Sequence, residues 1–210
     1  SSWSFILKGL GVSIGLAMVS ITLGAIIAVP LAILRVYGPR GASHLAVGLI
    51  ETVRAIPELM VVFWVFFSIP RLTGFVVGGW TAAAIAMTTI AAAYLAEVMR
   101  AGLFSVGQGQ WEAGRSTGIS DTRILFHIIL PQALRNMLPA LLGQLIMLFK
   151  TTSLVYIVGV VEFFKATQIV NNNTFTPHAT YTVLAVGYFI CCSAISYCIY
   201  RLDPNYTVTE

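Results

Sequence analysis

The sequence predicts an all-α integral membrane protein with five transmembrane helices. Two observations predict it. Of 210 residues, 58% are hydrophobic and only 10% are charged, whereas soluble globular domains carry about 25% charged residues. The mean hydropathy of +0.87 agrees. A bilayer core about 30 Å thick needs roughly 20 apolar residues per helix. The chain length therefore accommodates five or six spans with short loops and leaves little room for a soluble domain. Residues 1–210 read as one transmembrane domain.

The first span is expected over Gly9–Leu34, between Lys8 and a basic loop holding Arg35 and Arg40. It lacks a small-residue cleavage site after a short apolar core, so it reads as a span and not a signal peptide. The chain opens on Ser1 instead of Met, and a few residues are expected to precede it. The second span is expected over His44–Ile69, with Arg54, Pro57 and Glu58 inside it. The third, Gly79–Leu103, is rich in alanine. Small residues let helices approach closely in lipid, which predicts a central position. The fourth span is expected over Gln132–Lys150 and the fifth over Thr180–Tyr200. The polar stretch 104–131 suits a short helix outside the bilayer. Residues 151–179 suit a broken or re-entrant segment followed by a loop.

Cys191, Cys192 and Cys198 lie in the last apolar run without a histidine at metal-ligand spacing, so they read as apolar filler. The net charge of +4 forms no basic tract, which argues for membrane topology over nucleic acid. Five spans put Arg35, Arg40, Arg100, Arg115, Arg123, Arg135 and Arg201 on one side, and Lys8, Arg71 and Lys165 on the other. Lys and Arg accumulate on the cytoplasmic side. The N-terminus is thus expected outside, with the C-terminus and the 104–131 loop in the cytoplasm. A sixth span within 154–170 would weaken that asymmetry.

Inside the 104–131 loop stand Glu112, Ala113 and Gly114, then Gly118, Ile128, Leu130 and Pro131. This pattern resembles the EAA loop of permease subunits of ABC importers: EAA, three residues, G, nine residues, I-x-LP. The spacing matches throughout, with Gly114 where alanine is usual. Further stretches resemble the polar amino-acid importers: VRAIPELM (53–60), YLAEVMRAG (94–102), GQWEAG (109–114), ILPQALRNMLPAL (129–141) and KTTSLVYIVGVVEF (150–163). The usual forms there are FRGTP, AEIxRGG, GQxEAA, LPQAxRxxxP and KDTSL. The resemblance covers residues 8–202 and is nearest to the glutamate/aspartate branch. Ala55 stands where glycine is usual, and Thr151 where aspartate is usual.

The resemblance implies the type I ABC importer permease architecture, working by alternating access in a bacterial inner membrane. It implies a coupling helix that seats in a groove of an ATP-binding subunit. The coupling residues would be Trp111, Glu112, Ala113, Gly114, Arg115, Gly118, Ile128, Leu130 and Pro131. Two ATP-binding subunits, a second permease subunit (identical or paralogous) and an extracytoplasmic amino-acid-binding protein are the implied partners. ATP and magnesium would sit on the ATP-binding subunits. This chain has no GxxxxGK[ST] loop, and it is expected to hold no cofactor and to be no enzyme. Locally, Trp111–Thr117 is expected as a helix with Glu112 in its first turn, favoured there by the helix dipole. Gly118 is expected to end it with positive φ, and Pro131 to restart the chain at an angle.

Ionisable residues inside spans are costly and point to function. In one continuous helix Glu51, Arg54 and Glu58 would share a face, either as packing ion pairs or as substrate contacts. Glu97 and Arg100, at i and i+3, read as a self-satisfied pair. Lys150 lies about 22 Å along the fourth span from Arg135 and precedes Thr151, Thr152 and Ser153, where helix propensity falls. Broken helices near the midplane favour ligand sites, while a lysine at a helix end can also snorkel to the interface. The candidate substrate path is therefore Lys150, Thr152, Ser153, Arg54, Glu97 and Arg100. An ion-coupled secondary transporter is the alternative. It would need a carboxylate facing the pathway and usually an internal repeat, and no repeat is visible.

Overall fold

The computed structural model describes residues 2–202. Among these the chain is helical throughout, without strands. The elements are α1 (Ser2–Tyr37), α2 (Arg40–Ala55), α3 (Glu58–Thr73), α4 (Gly79–Phe104), α5 (Gln108–Ser116), α6 (Asp121–Ile124), α7 (Leu130–Thr151), α8 (Phe163–Thr174) and α9 (Pro177–Leu202). A π turn, Leu125–Ile129, joins α6 to α7, and a 3₁₀ segment, Thr152–Val158, follows α7.

Four stretches are long and apolar enough to cross a membrane: Ser2–Tyr37, Gly79–Phe104, Asp121–Val158 and Pro177–Tyr197. The expected second span is instead two helices, α2 and α3, bent by 107° at a short break; counted as one bent span, the pair brings the crossings to five. The cause is local. A proline clashes with helical backbone in the residue before it, and Ile56, ahead of Pro57, is extended at φ −90°, ψ 137°. Glu51, Arg54 and Glu58 therefore do not share one helix face.

The alanine-rich helix is central, as expected. Ala82, Ala83, Ala86, Ala91, Ala92, Ala93 and Ala96 are buried, and α4 touches α1, α2, α3 and α7. Small side chains bring α1 into close contact, with Gly24 against Ala91. Val62, Met87, Ile90, Leu95 and Leu148 complete this core. By contrast α9 is peripheral and exposes Val186, Phe189 and Ile190. Cys191 and Cys192 are partly buried free thiols; the Cys198 side chain lies outside the described ones.

Two further expectations change. The fourth span begins earlier, because α6, the π turn and α7 run on as one helix. Pro131 therefore sits inside a continuous rod and does not restart the chain. Beyond the 3₁₀ segment, α8 is regular and takes in Asn171–Thr174, expected as loop. Its 12 residues span about 18 Å, too short to cross a bilayer. The buried Glu162 carboxylate caps α8, accepting from the backbone N–H groups of Phe164 and Lys165 at 2.8 Å each. Ser13 Oγ of α1 also donates to it, at 3.3 Å.

Candidate functional site

The predicted coupling loop forms a small, braced projection. Helix α5 spans Gln108–Ser116 and starts earlier than expected, so Glu112 lies beyond its first turn and the dipole argument for that residue falls. Its end follows expectation. Gly118 has φ +73°. Its N–H donates to Arg115 O at 3.0 Å, and the Ile119 N–H donates to Gly114 O at 3.2 Å. This pair of bonds is the Schellman closure, which needs a residue in the left-handed region and so favours glycine.

Three contacts brace α5, two of them against α6. Arg115 donates to both carboxylate oxygens of Asp121, at 2.8 and 3.0 Å. That bond raises the guanidinium pKa above its usual value. The same guanidinium lies 5.7 Å from the centre of the Trp111 ring. Gly114 is buried on Ile124, so closely that a β-carbon would come within 2.7 Å of its side chain. Ile124 in turn packs with Val106, Ile129, Ala133 and Met137, flanked by Trp111 and Ile128. Glu112 and Ala113 point outward and are exposed; Leu130 is half-buried and Pro131 exposed. A cavity of about 850 Å³ opens beside α5, lined by Tyr37, Phe104, Gln108, Trp111 and Glu112 among others. Asp121 and Ile124 were not singled out in the sequence, although Ser120–Asp121 is the kind of pair that starts a helix.

The second group gathers where α1, α2 and α4 meet. Arg100 donates to Glu97, as its spacing predicted. The pair is not self-contained: Arg35 lies 2.8 Å and Arg54 3.8 Å from the same carboxylate. Glu51 pairs with Arg35 and Arg54 at 3.2 Å each. The sequence offered no signal for Arg35, which arrives from a different helix.

Glu58 stands apart, accepting from Thr151 Oγ1 at 2.9 Å. Next to Thr151, Lys150 is exposed. Among the described residues no carboxylate forms an ion pair with it. The helix changes to 3₁₀ immediately afterwards, as low propensity there predicted. Of the two hydroxyls, Ser153 is half-buried, while Thr152 is fully buried and donates to Phe149 O at 2.7 Å. Among the described residues no ion pair joins Lys150 to the Arg54–Glu97–Arg100 group.

A family model described as "Binding-protein-dependent transport system inner membrane component" matches residues 20–206. The chain is 34% identical over 209 residues to a probable glutamine ABC transporter permease protein of Bacillus subtilis (strain 168), covering 97% of this chain and 94% of that protein. It is 29% identical over 204 residues to an arginine ABC transporter permease protein of Haemophilus influenzae, covering 94% and 91%. Among solved structures, an amino acid ABC transporter with histidines superposes with a TM-score of 0.91 at 25% identity, covering 96% of this chain and 94% of that one. The inward-facing MetNI methionine ABC transporter superposes at a TM-score of 0.78 and 20% identity, and so speaks to the fold alone. The chain belongs to the family of binding-protein-dependent transport system inner membrane components, the permease subunits of ABC transporters.

Proposed function

We propose that this chain moves a polar amino acid across the inner membrane, driven by ATP hydrolysis that reaches it through α5. The permease subunit is not itself an enzyme; hydrolysis belongs to a separate subunit. The observation that carries the reading is the projection itself. A short helix exposes Glu112 and Ala113, while the Schellman turn, the Arg115–Asp121 pair and the Gly114–Ile124 contact hold it to a helix that crosses the membrane. A push on α5 is therefore delivered to α7. Two ATP-binding subunits would dock on α5 of two permease subunits, and an extracytoplasmic binding protein would deliver substrate at their interface. The arginine distribution supports a cytoplasmic α5, with the N-terminus outside and the C-terminus inside.

Substrate class rests on Lys150. An exposed ammonium beside a broken helix suits a carboxylate, because charge-assisted hydrogen bonds are about twice as strong as neutral ones. The named relatives are described as glutamine and arginine permeases. The lysine favours an anionic or zwitterionic amino acid, with glutamate and aspartate first. The ion-coupled alternative loses support, because its carboxylates are engaged: Glu97 and Glu51 by arginines, Glu58 by Thr151.

Glu112→Lys tests the coupling reading. The residue is exposed, so insertion and expression should persist. Co-purification of the ATP-binding subunit and uptake of labelled amino acid should both fall. Normal uptake and undiminished co-purification would remove α5 from the coupling role.

A further inference from the structure

We propose that Glu58 sets specificity in the substrate path by taking the α-ammonium group of the amino acid on its free carboxylate oxygen. The inference rests on the reading of Lys150 as the partner of the substrate's carboxylate, and it completes a site for a zwitterion.

Two opposite charges on the membrane-crossing helices are left without charged partners. Glu51 and Glu97 are each paired with arginines, and Glu162 is held by backbone N–H groups and Ser13. Glu58 meets only a hydroxyl: its Oε2 accepts from Thr151 Oγ1 at 2.9 Å. Among the described residues its Oε1 accepts no hydrogen bond, and no cation pairs with it. Lys150 is the chain neighbour of Thr151, with Cα atoms about 3.8 Å apart, and it too lacks a charged partner. A charge in a membrane is costly unless it is paired, and an unpaired one marks a pathway. The anion and the cation are thus neighbours that do not pair with each other. An amino acid between them would pair both, because a single carbon separates its ammonium from its carboxylate.

Both groups stand where a helix breaks. Glu58 lies in the first turn of α3, directly after extended Ile56 and Pro57, where the positive end of the helix dipole favours a carboxylate. Lys150 lies at the end of α7, just before the 3₁₀ segment that begins at Thr152. That segment touches α3. Broken helices near the midplane are where transporters hold their substrates. Glu58 is half-buried and Lys150 exposed, so a ligand can reach both. The sequence departs from its relatives at the same place. Thr151 stands where aspartate is usual in the polar amino-acid importers. Glu58 brings a carboxylate to the Thr151 hydroxyl from another helix, so the place keeps its negative charge.

Two other roles account for less. A tie between α3 and α7 needs only the hydrogen bond to Thr151, which a neutral amide would supply without placing a charge at a membrane break. A hard metal cation would want several oxygen ligands, and no group of three or more His, Cys, Asp or Glu side chains forms among the described residues. A substrate ammonium uses the free oxygen of Glu58 and leaves the substrate's carboxylate beside Lys150.

The test measures the Kd of the assembled permease–ATPase complex, in nanodiscs without the binding protein, for labelled glutamate, glutamine and arginine. The amino acid bound most tightly is compared with its counterpart in which hydrogen replaces the α-ammonium group, glutarate in the case of glutamate. Glu58→Gln should weaken binding of the amino acid by about tenfold or more, the effect of one charged hydrogen bond, and leave binding of the counterpart unchanged. Adding Thr151→Asp to Glu58→Gln returns a carboxylate to its usual position and should restore most of the loss. Lys150→Met should weaken the amino acid and the counterpart alike. Should Glu58→Gln fail to assemble, Glu58→Asp decides: drawing the carboxylate back by one methylene should reduce the preference for the amino acid, and an unchanged preference overturns the inference. Equal weakening of both ligands by Glu58→Gln, or weakening of neither, also overturns it, while the Lys150→Met result still upholds the path. If Lys150→Met alters neither ligand, or the unaltered complex binds none of the three amino acids, the path reading itself fails and this inference falls with it.

Discussion

Gly114 is the sharpest place to test how α5 is held. Replacing it with alanine adds a β-carbon 2.7 Å from both Cγ1 and Cδ1 of Ile124, and 3.4 Å from Cγ2. Ordinary carbon contacts begin near 3.5 Å, so Ile124 or α5 must shift by several tenths of an ångström. Overpacking of this kind costs about 1–3 kcal/mol. Alanine in place of glycine within a helix returns about 1 kcal/mol. The net cost is about 0–2 kcal/mol, equivalent to a loss in docking affinity of up to about thirtyfold. The size of that loss matters less than its dependence on Ile124. Ile124→Ala alone leaves a cavity at a fully buried position and should cost about 2–5 kcal/mol in stability. In the double variant the new methyl enters space that Ile124 has vacated. The assay is the Kd of the purified ATP-binding subunit for solubilised permease, with hydrogen exchange in α5 as a second readout. The double variant should be tighter than the sum of the single effects by about 1 kcal/mol or more. Strict additivity would refute the reasoning, because it would mean that α5 is not seated on Ile124.

Three other outcomes are expected. Gly118→Val puts a β-branched residue at φ +73°, costing about 1–2 kcal/mol or more; docking and uptake should fall together, while Gly118→Asn should retain most of both. Glu97→Gln leaves Arg35, Arg54 and Arg100 with Glu51 as the one remaining carboxylate paired to the cluster and should lower stability by about 1–3 kcal/mol. Its readout is the thermal unfolding of the complex, and an unchanged Tm would mean that the cluster contributes little. Lys150→Met keeps chain length and removes charge; uptake of labelled glutamate should drop more than uptake of arginine, while basal ATP hydrolysis survives. Unchanged uptake of both would reduce Lys150 to an interfacial lysine.

What the sequence revealed divides along local and distant contacts. The alanine content of α4 reported its central place, since small size is a property of the residues themselves. Gly118 announced its left-handed conformation, and the Thr151–Ser153 run announced the end of regular helix. Glu97 did not reveal its full set of partners, because Arg35 meets it only after α1 and α4 have packed. The shared face of Glu51, Arg54 and Glu58 assumed an unbroken helix, although Pro57 argued locally against one. The start of α5 was placed late, at Trp111 instead of Gln108. Pro131 misled in the opposite direction. A proline ring strikes the carbonyl four residues back, but that residue, His127, lies in the π turn, where the helix is already widened.

That π turn governs how the two ends of a long rod face one another. From Asp121 to Val158 the chain runs 38 residues without leaving helical structure: α6, the π turn, α7 and the 3₁₀ segment follow one another directly. A π turn holds roughly one residue more than an α turn, and one residue corresponds to about 100° of rotation. Leu125–Ile129 thus acts as a phase offset between the end that seats Gly114 and the end that presents Lys150. A residue removed there closes the turn to ordinary α geometry and leaves both ends aimed as they are. A residue removed elsewhere along α7, at Gly143 for example, swings Lys150 by about 100° relative to α5. Length changes along this helix are therefore tolerable at one turn and disruptive at the rest.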